Sequence, residues 1–122
     1  MTDRIVEIHH VQLAMPPGEE ERARRFYGEV LGLEEIAKPA ELAARGGCWF
    51  RGQGVELHLG VEGSFVPARK AHPAFAVRDL SAMRRILEEA GTEIDEDTQL
   101  EGFQRFYAAD PFGNRLEFLA PG

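Results

Sequence analysis

His10-Val11-Gln12-Leu13-Ala14-Met15 returns later in the chain as His72-Pro73-Ala74-Phe75-Ala76-Val77. In the first segment Val11, Leu13 and Met15 share one parity, and in the second Pro73, Phe75 and Val77 do; each histidine falls on the other parity. A period of two describes a strand with one face on a core, so each histidine belongs to the opposite face. The segments downstream of each copy decide the fold. After Pro16-Pro17-Gly18, residues Ala23, Phe26, Tyr27, Val30 and Leu31 recur as one helical face. Glu19, Glu20 and Glu21 favour its positive end, and Gly32 stops it. Glu34 to Lys38, Cys48 to Arg51 and Val55 to Val61 then read as a meander of strands. After the second copy, Asp79 caps a helix whose apolar face is Leu80, Met83, Leu87 and Ala90, ended by Gly91. Weak strands come next at Glu93 to Asp97 and Gln104 to Ala109, then a turn at Asp110 to Asn114 and a strand from Arg115 to Ala120. One βαβββ unit is thus present twice, about residues 1–64 and 65–122, with Gly63 to Ala71 as the hinge. The expectation is an α+β fold in a single domain spanning 1–122.

The 122 residues are 43% hydrophobic, enough for one core without covalent staples. Cys48 is the only cysteine, so no internal disulfide forms, and nothing at the start reads as a secretion signal. A cytoplasmic setting is expected. The formal net charge of −7 repels phosphate backbones and anionic membranes, and no apolar run is long enough to span a bilayer. Small molecules, cationic ligands and other proteins remain as candidate partners, with no nucleic acid and no membrane.

Beside the histidine in each first strand, each unit carries a carboxylate in its last: Glu56-Leu57-His58-Leu59 lines up with Glu117-Phe118-Leu119-Ala120. The separations are nearly equal, 56 − 10 = 46 and 117 − 72 = 45 residues. If the two sheets curve toward each other, His10, His72, Glu56 and Glu117 meet in one interior. Mixed nitrogen and oxygen donors suit a divalent transition metal (Zn, Ni, Fe, Mn or Co), with positions open for substrate. A single strand histidine is more often a hydrogen-bonded structural residue, but burying two carboxylates is costly unless protonation, an arginine or a metal offsets it. His58 shares the parity of Glu56, so either could be the ligand while the other serves as base or support; a wall histidine is as good a reading. His9 points to the other face. Arg51 and Arg105 could clamp an anionic substrate, although exposed ion pairs are the commoner use. Arg22, Arg24 and Arg25 look like a solvated face, and Cys48 like a small buried residue.

His10-Val11-Gln12-Leu13, Phe26-Tyr27-Gly28-Glu29-Val30-Leu31-Gly32-Leu33 and Asp110-Pro111-Phe112-Gly113-Asn114-Arg115-Leu116-Glu117-Phe118 resemble the vicinal oxygen chelate superfamily. That group includes glyoxalase I, fosfomycin-resistance thiol transferases, extradiol dioxygenases, methylmalonyl-CoA epimerase and the metal-free bleomycin-resistance proteins. The resemblance implies paired βαβββ modules whose curved mixed sheets form an open barrel around a metal, as a homodimer whose modules pair within or between chains. It implies metal ligands at His10, His72 and Glu117. Glu56 matches the further glutamate of glyoxalase I, whose pattern does not contain His58.

The expected function is a metal-dependent enzyme, a lyase, isomerase or dioxygenase. It chelates neighbouring oxygens of a small substrate and stabilises an oxyanion or enediolate, with Glu56 or Glu117 taking the proton. The alternatives are a bleomycin-resistance-like dimer that sequesters a cationic drug without metal, other chemistry of the superfamily such as ring-cleaving dioxygenation or thiol transfer, and an inactive paralogue.

Overall fold

The computed structural model describes residues 4–122. In its first half, strands β1 (Val11–Met15), β2 (Glu34–Ile36), β3 (Cys48–Gly52) and β4 (Val55–Val61) form one sheet in the order β1-β4-β3-β2. In the second half, β5 (Ala74–Ala76), β6 (Ile94–Asp95), β7 (Phe103–Ala109) and β8 (Arg115–Pro121) repeat that order as β5-β8-β7-β6. In each sheet the first strand runs parallel to the last, and the other pairs are antiparallel. The two mixed sheets and their helices bear out the α+β reading, and among the described residues the sheets form no closed barrel. Among the described residues β1 and β5 each have one neighbour, so each leaves an edge unpaired there.

The helix after β1 begins as α1 (Glu20–Ala23) and continues in π-helical turns over Arg24–Val30, where the sequence periodicity had suggested an α-helix throughout. Leu31 N–H donates to Phe26 C=O, five residues back, at 2.9 Å. The widened turns carry the adjacent Phe26 and Tyr27 into the core together. A second difference is α2 (Ala40–Ala43), a single turn after Pro39 that the sequence did not announce. In α3 (Leu80–Glu89) the expected cap is present: Asp79 Oδ1 accepts from Ala82 N–H at 3.0 Å. Gly47 sits at φ +82, and a Cβ there would lie 2.1 Å from the Leu59 carbonyl oxygen, so only glycine lets this loop lie on β4.

One core joins the halves. Met15, Phe50, Leu57 and Leu59 of the first sheet cluster with Tyr27, Leu87, Phe106, Leu116 and Phe118. A buried network closes the seam: Tyr27 Oη donates to Asp110 Oδ2 at 2.6 Å, and Asn114 Nδ2 donates to Asp110 Oδ2 at 2.9 Å and to Ala14 C=O at 2.8 Å. Asp110 Oδ1 takes the N–H groups of Phe112 and Asn114, which shapes the turn between β7 and β8. Among the described residues no helix is long and apolar enough to cross a membrane.

Candidate functional site

On the central strand of the second sheet Leu116 and Phe118 face the core, so Glu117, between them, projects from the other face. It pairs with Tyr107 of β7 and Ala74 of β5. His72, just before β5, approaches with Nε2 2.8 Å from Glu117 Oε1, and Arg105 Nη1 donates to Glu117 Oε2 at 3.2 Å. Glu117 is only 6% exposed. Burial pushes its pKa up, but the hydrogen bonds from His72 and Arg105 and the Arg105 charge outweigh that, and the net shift is downward. His72 Nδ1 lies 2.8 Å from Lys70 C=O, which can only accept, so Nδ1 carries a hydrogen. Nε2 then faces a carboxylate, an arrangement satisfied when something positive, a proton or a metal ion, lies between them. A histidine that donates through Nδ1 to a carbonyl and offers Nε2 beside a carboxylate has the donor chemistry of a divalent-metal site.

The first sheet carries a second group. Trp49, His58 and His10 stack in a column: Trp49 and His58 have ring centroids 3.9 Å apart and planes 3° from parallel, and His10 and His58 are 4.1 Å and 19°. Glu56 Oε2 lies 2.8 Å from His58 Nε2, and that hydrogen bond, more than any other influence, lowers the Glu56 pKa. His58 is buried, while His9 and His10 are exposed with their Nδ1 atoms 3.0 Å apart.

The two groups are equivalent by register. With His10 matched to His72, Gln12 matches Ala74; the parallel partner of Gln12 is His58, and that of Ala74 is Glu117. The antiparallel partners agree, since Trp49 pairs with His58 and Tyr107 with Glu117. Residue identity suggested Glu56 as the counterpart of Glu117. The backbone ladder corrects this by one step of two residues, which leaves Glu56 on the same face but moves it along the strand.

The structure therefore brings His72 to Glu117, and His10 and Glu56 to His58. Among the described residues, no three His, Cys, Asp or Glu side chains gather to hold one ion. A cleft of about 1340 Å³ along the unpaired edges of β1 and β5 is lined by His10, Glu56, His72 and Arg115, among others. Arg105 is in the second group, whereas Arg51 is exposed. Cys48 is buried, and burial pushes its thiol up to about 11. Arg22, on the expected solvated face, pairs with Glu19, and Arg24 pairs with Glu21 and Glu35. Sequence reasoning missed Tyr107 and Arg115. Tyr107 shares its parity with Arg105 on one strand, and Arg115 shares that of Glu117, which was the available signal.

The model of the Glyoxalase/Bleomycin resistance protein/Dioxygenase superfamily matches residues 7–118. A glyoxalase family protein from Bacillus anthracis is 49% identical over 100% of both chains, with a TM-score of 0.94. A glyoxalase/dioxygenase from Nostoc punctiforme is 25% identical over 98% of this chain and 93% of its own, with a TM-score of 0.78. The fosfomycin resistance protein FosX from Listeria monocytogenes shares the fold, with a TM-score of 0.78 at 18% identity over 97% of this chain and 93% of its own. No curated protein matches the chain. With its duplicated modules and a family match over nearly its whole length, the chain belongs to the Glyoxalase/Bleomycin resistance protein/Dioxygenase superfamily.

Proposed function

We propose that the chain is a metal-dependent enzyme acting on a small molecule with two neighbouring oxygens, and that its centre joins His72 and Glu117 of one copy to His10 and His58 of a second. The observation that carries this reading is the His72–Glu117 pair, whose Nε2 and carboxylate oxygen converge at 2.8 Å with Nδ1 fixed on Lys70 C=O. A divalent cation held there would supply Lewis-acid stabilisation of an oxyanion on the substrate.

The need for a second copy comes from the edges a single chain leaves open. β1 and β5 expose unpaired edges, and Ile5, Val6 and Ile8, leading into His10, are 78–82% exposed. An apolar arm beside a free strand edge is suited to pairing with another chain. A homodimer would bring the Trp49–His58–His10 column of one copy over the Glu117 face of the other.

Glu56 then holds the proton-transfer position. His58 lowers its pKa, so at neutral pH it is an ionised acceptor, and at 20% side-chain exposure it can reach substrate. Tyr107 and Trp49 flank the two histidine groups and would narrow access of water. The lone buried thiol, Cys48, accords with a cytoplasmic setting. The superfamily's range leaves lyase, isomerase and dioxygenase chemistry as the classes to distinguish.

The test is metal analysis of protein purified without chelator or affinity tag, followed by a screen of glutathione hemithioacetals, catechols and acyl-CoA epimers. The expected result is one transition metal per site and turnover of one class. Protein that neither retains nor takes up metal, yet binds a cationic aromatic drug, would replace this reading with sequestration.

A further inference from the structure

The second sheet presents two arginines around one tyrosine beside Glu117. Arg105 Cζ lies 5.4 Å and Arg115 Cζ 4.0 Å from the Tyr107 ring centroid. In a chain of net charge −7, this concentration of positive charge is local.

Arg105 is held in a fixed plane. Its Nε and Nη2 donate to Thr98 C=O at 3.0 and 2.7 Å, and its Nη1 donates to Glu117 at 3.2 Å. A guanidinium has five N–H groups, so one on each terminal nitrogen has no acceptor among the described residues. Two donors in a rigid plane match the oxygens of a carboxylate or phosphate. The side chain is 17% exposed, so the remaining donors are not sealed off. Arg115 lies 3.4 Å from Arg69 C=O and 3.8 Å from Asp97, with its guanidinium carbon over the Tyr107 ring.

Formal charge points the same way. Arg105 and Arg115 balance Glu117 and Asp97, so a divalent cation at Glu117 would leave this corner at about +2, or about +1 once the second copy's ionised Glu56 is counted. A neutral substrate would leave that charge uncompensated, whereas an anionic one offsets it.

Resting on the reading of His72 and Glu117 as half of a metal centre, we propose that Arg105, assisted by Arg115, forms an oxyanion-binding subsite, and that the substrate is a small molecule carrying a carboxylate or phosphate group beside its two chelating oxygens. Arg105 is then a binding residue as well as the counter-ion of Glu117.

The experiment compares dihydroxyacetone phosphate with dihydroxyacetone, which share hydroxyl and carbonyl oxygens and differ in the phosphate. Binding is read by calorimetry on the cobalt-loaded wild type, Arg105→Gln, Arg105→Lys and Arg115→Gln, with metal content and thermal unfolding measured alongside. Wild type is expected to prefer the phosphorylated probe by about tenfold or more, Arg105→Gln to lose that preference, and Arg105→Lys and Arg115→Gln to keep part of it. Because Arg105 also bonds Glu117, metal content of each variant is measured first and the two probes are compared per bound cobalt, the ratio of their affinities being the readout. An unchanged preference in Arg105→Gln overturns the proposal. So does an equal loss of both probes, or complete loss of metal, because Arg105 would then serve Glu117 alone. If wild type takes up no metal, the enzymatic reading fails by itself, and the subsite is judged on metal-free protein with inorganic phosphate: binding lost in Arg105→Gln supports it, and no binding refutes it.

Discussion

His58 stands in the first sheet where Glu117 stands in the second. Each lies on the central strand, each contacts the histidine that leads its first strand, and each pairs across the ladder with an aromatic residue, Trp49 or Tyr107. The duplication has thus placed an imidazole at one position and a carboxylate at the other. Glu56 is displaced one step along and bonded to His58.

This division separates two roles that share a strand. His58→Ala, which removes a proposed ligand, is expected to weaken metal binding by more than about 100-fold, beyond the loss typical of a residue that only supports a ligand. Glu56→Gln should leave metal content near wild type while lowering kcat by about 100-fold or more. Competition against a chromogenic chelator reads the first effect and steady-state kinetics on the identified substrate the second. Equal metal loss in both variants would show that Glu56 is also a ligand.

Tyr27 and Asp110 tie the halves of one chain together, 83 positions apart and both buried. Tyr27→Phe removes one donor to a carboxylate that keeps those of Asn114 and Phe112, so a loss of about 1–2 kcal/mol is expected. Asp110→Ala leaves the Tyr27 hydroxyl and the turn N–H groups without their acceptor and should cost about 3 kcal/mol or more. Urea unfolding of the two variants and the double variant gives both numbers and their coupling.

The acid limb of stability carries the Glu117 signature. Its pKa is lowered from 4.5 in the folded protein, so its contribution is present above pH 4.5 and is lost as pH falls through the lowered value. Glu117→Gln should therefore be less stable than wild type at pH 7 by about 1–2 kcal/mol, with the gap closing below pH 4.5. Asp110 has the opposite sign. Burial raises its pKa above 3.8 despite the hydrogen bonds it accepts, so its contribution is full below pH 3.8 and declines as pH rises through the raised value. Denaturant midpoints of wild type and Glu117→Gln from pH 3 to 8 check the first trend.

Cys48 should be silent toward thiol reagents. It is 1% exposed, and its thiol is pushed up to about 11 by burial, so thiolate is scarce at neutral pH and access is blocked. A colorimetric disulfide reagent is expected to detect no thiol in the folded protein at pH 7.5 and one per chain after denaturation.

Much of this was legible in the chain itself. The parity of His10 and His72 against Leu13 and Phe75 assigned the faces of both first strands, and Asp79 and Gly91 marked both ends of α3. The short strands were legible because Gly and Pro punctuate them. The π-helical turns over Arg24–Val30 were not, since the five-residue bonds that admit both Phe26 and Tyr27 to the core come from tertiary packing. The candidate site was legible by residue type but not by register. Glu56 and Glu117 match as letters, whereas hydrogen bonding between parallel strands equates His58 with Glu117. Tyr107 and Arg115 were overlooked because an aromatic or basic residue in a strand has many ordinary uses, and only the fold shows Arg105 and Arg115 meeting at the Tyr107 ring.

A metal centre that needs residues from two copies is put to its sharpest test by mixing variants. His10→Ala and His72→Ala are each expected to lose tight metal binding when alone. Unfolded together in equal amounts and refolded, they should regain about a quarter of the wild-type metal, because half the dimers are mixed and each of those has one complete site of two. Recovery near that fraction is the outcome a shared centre requires; a mixture that binds no more metal than the separate variants would contradict it.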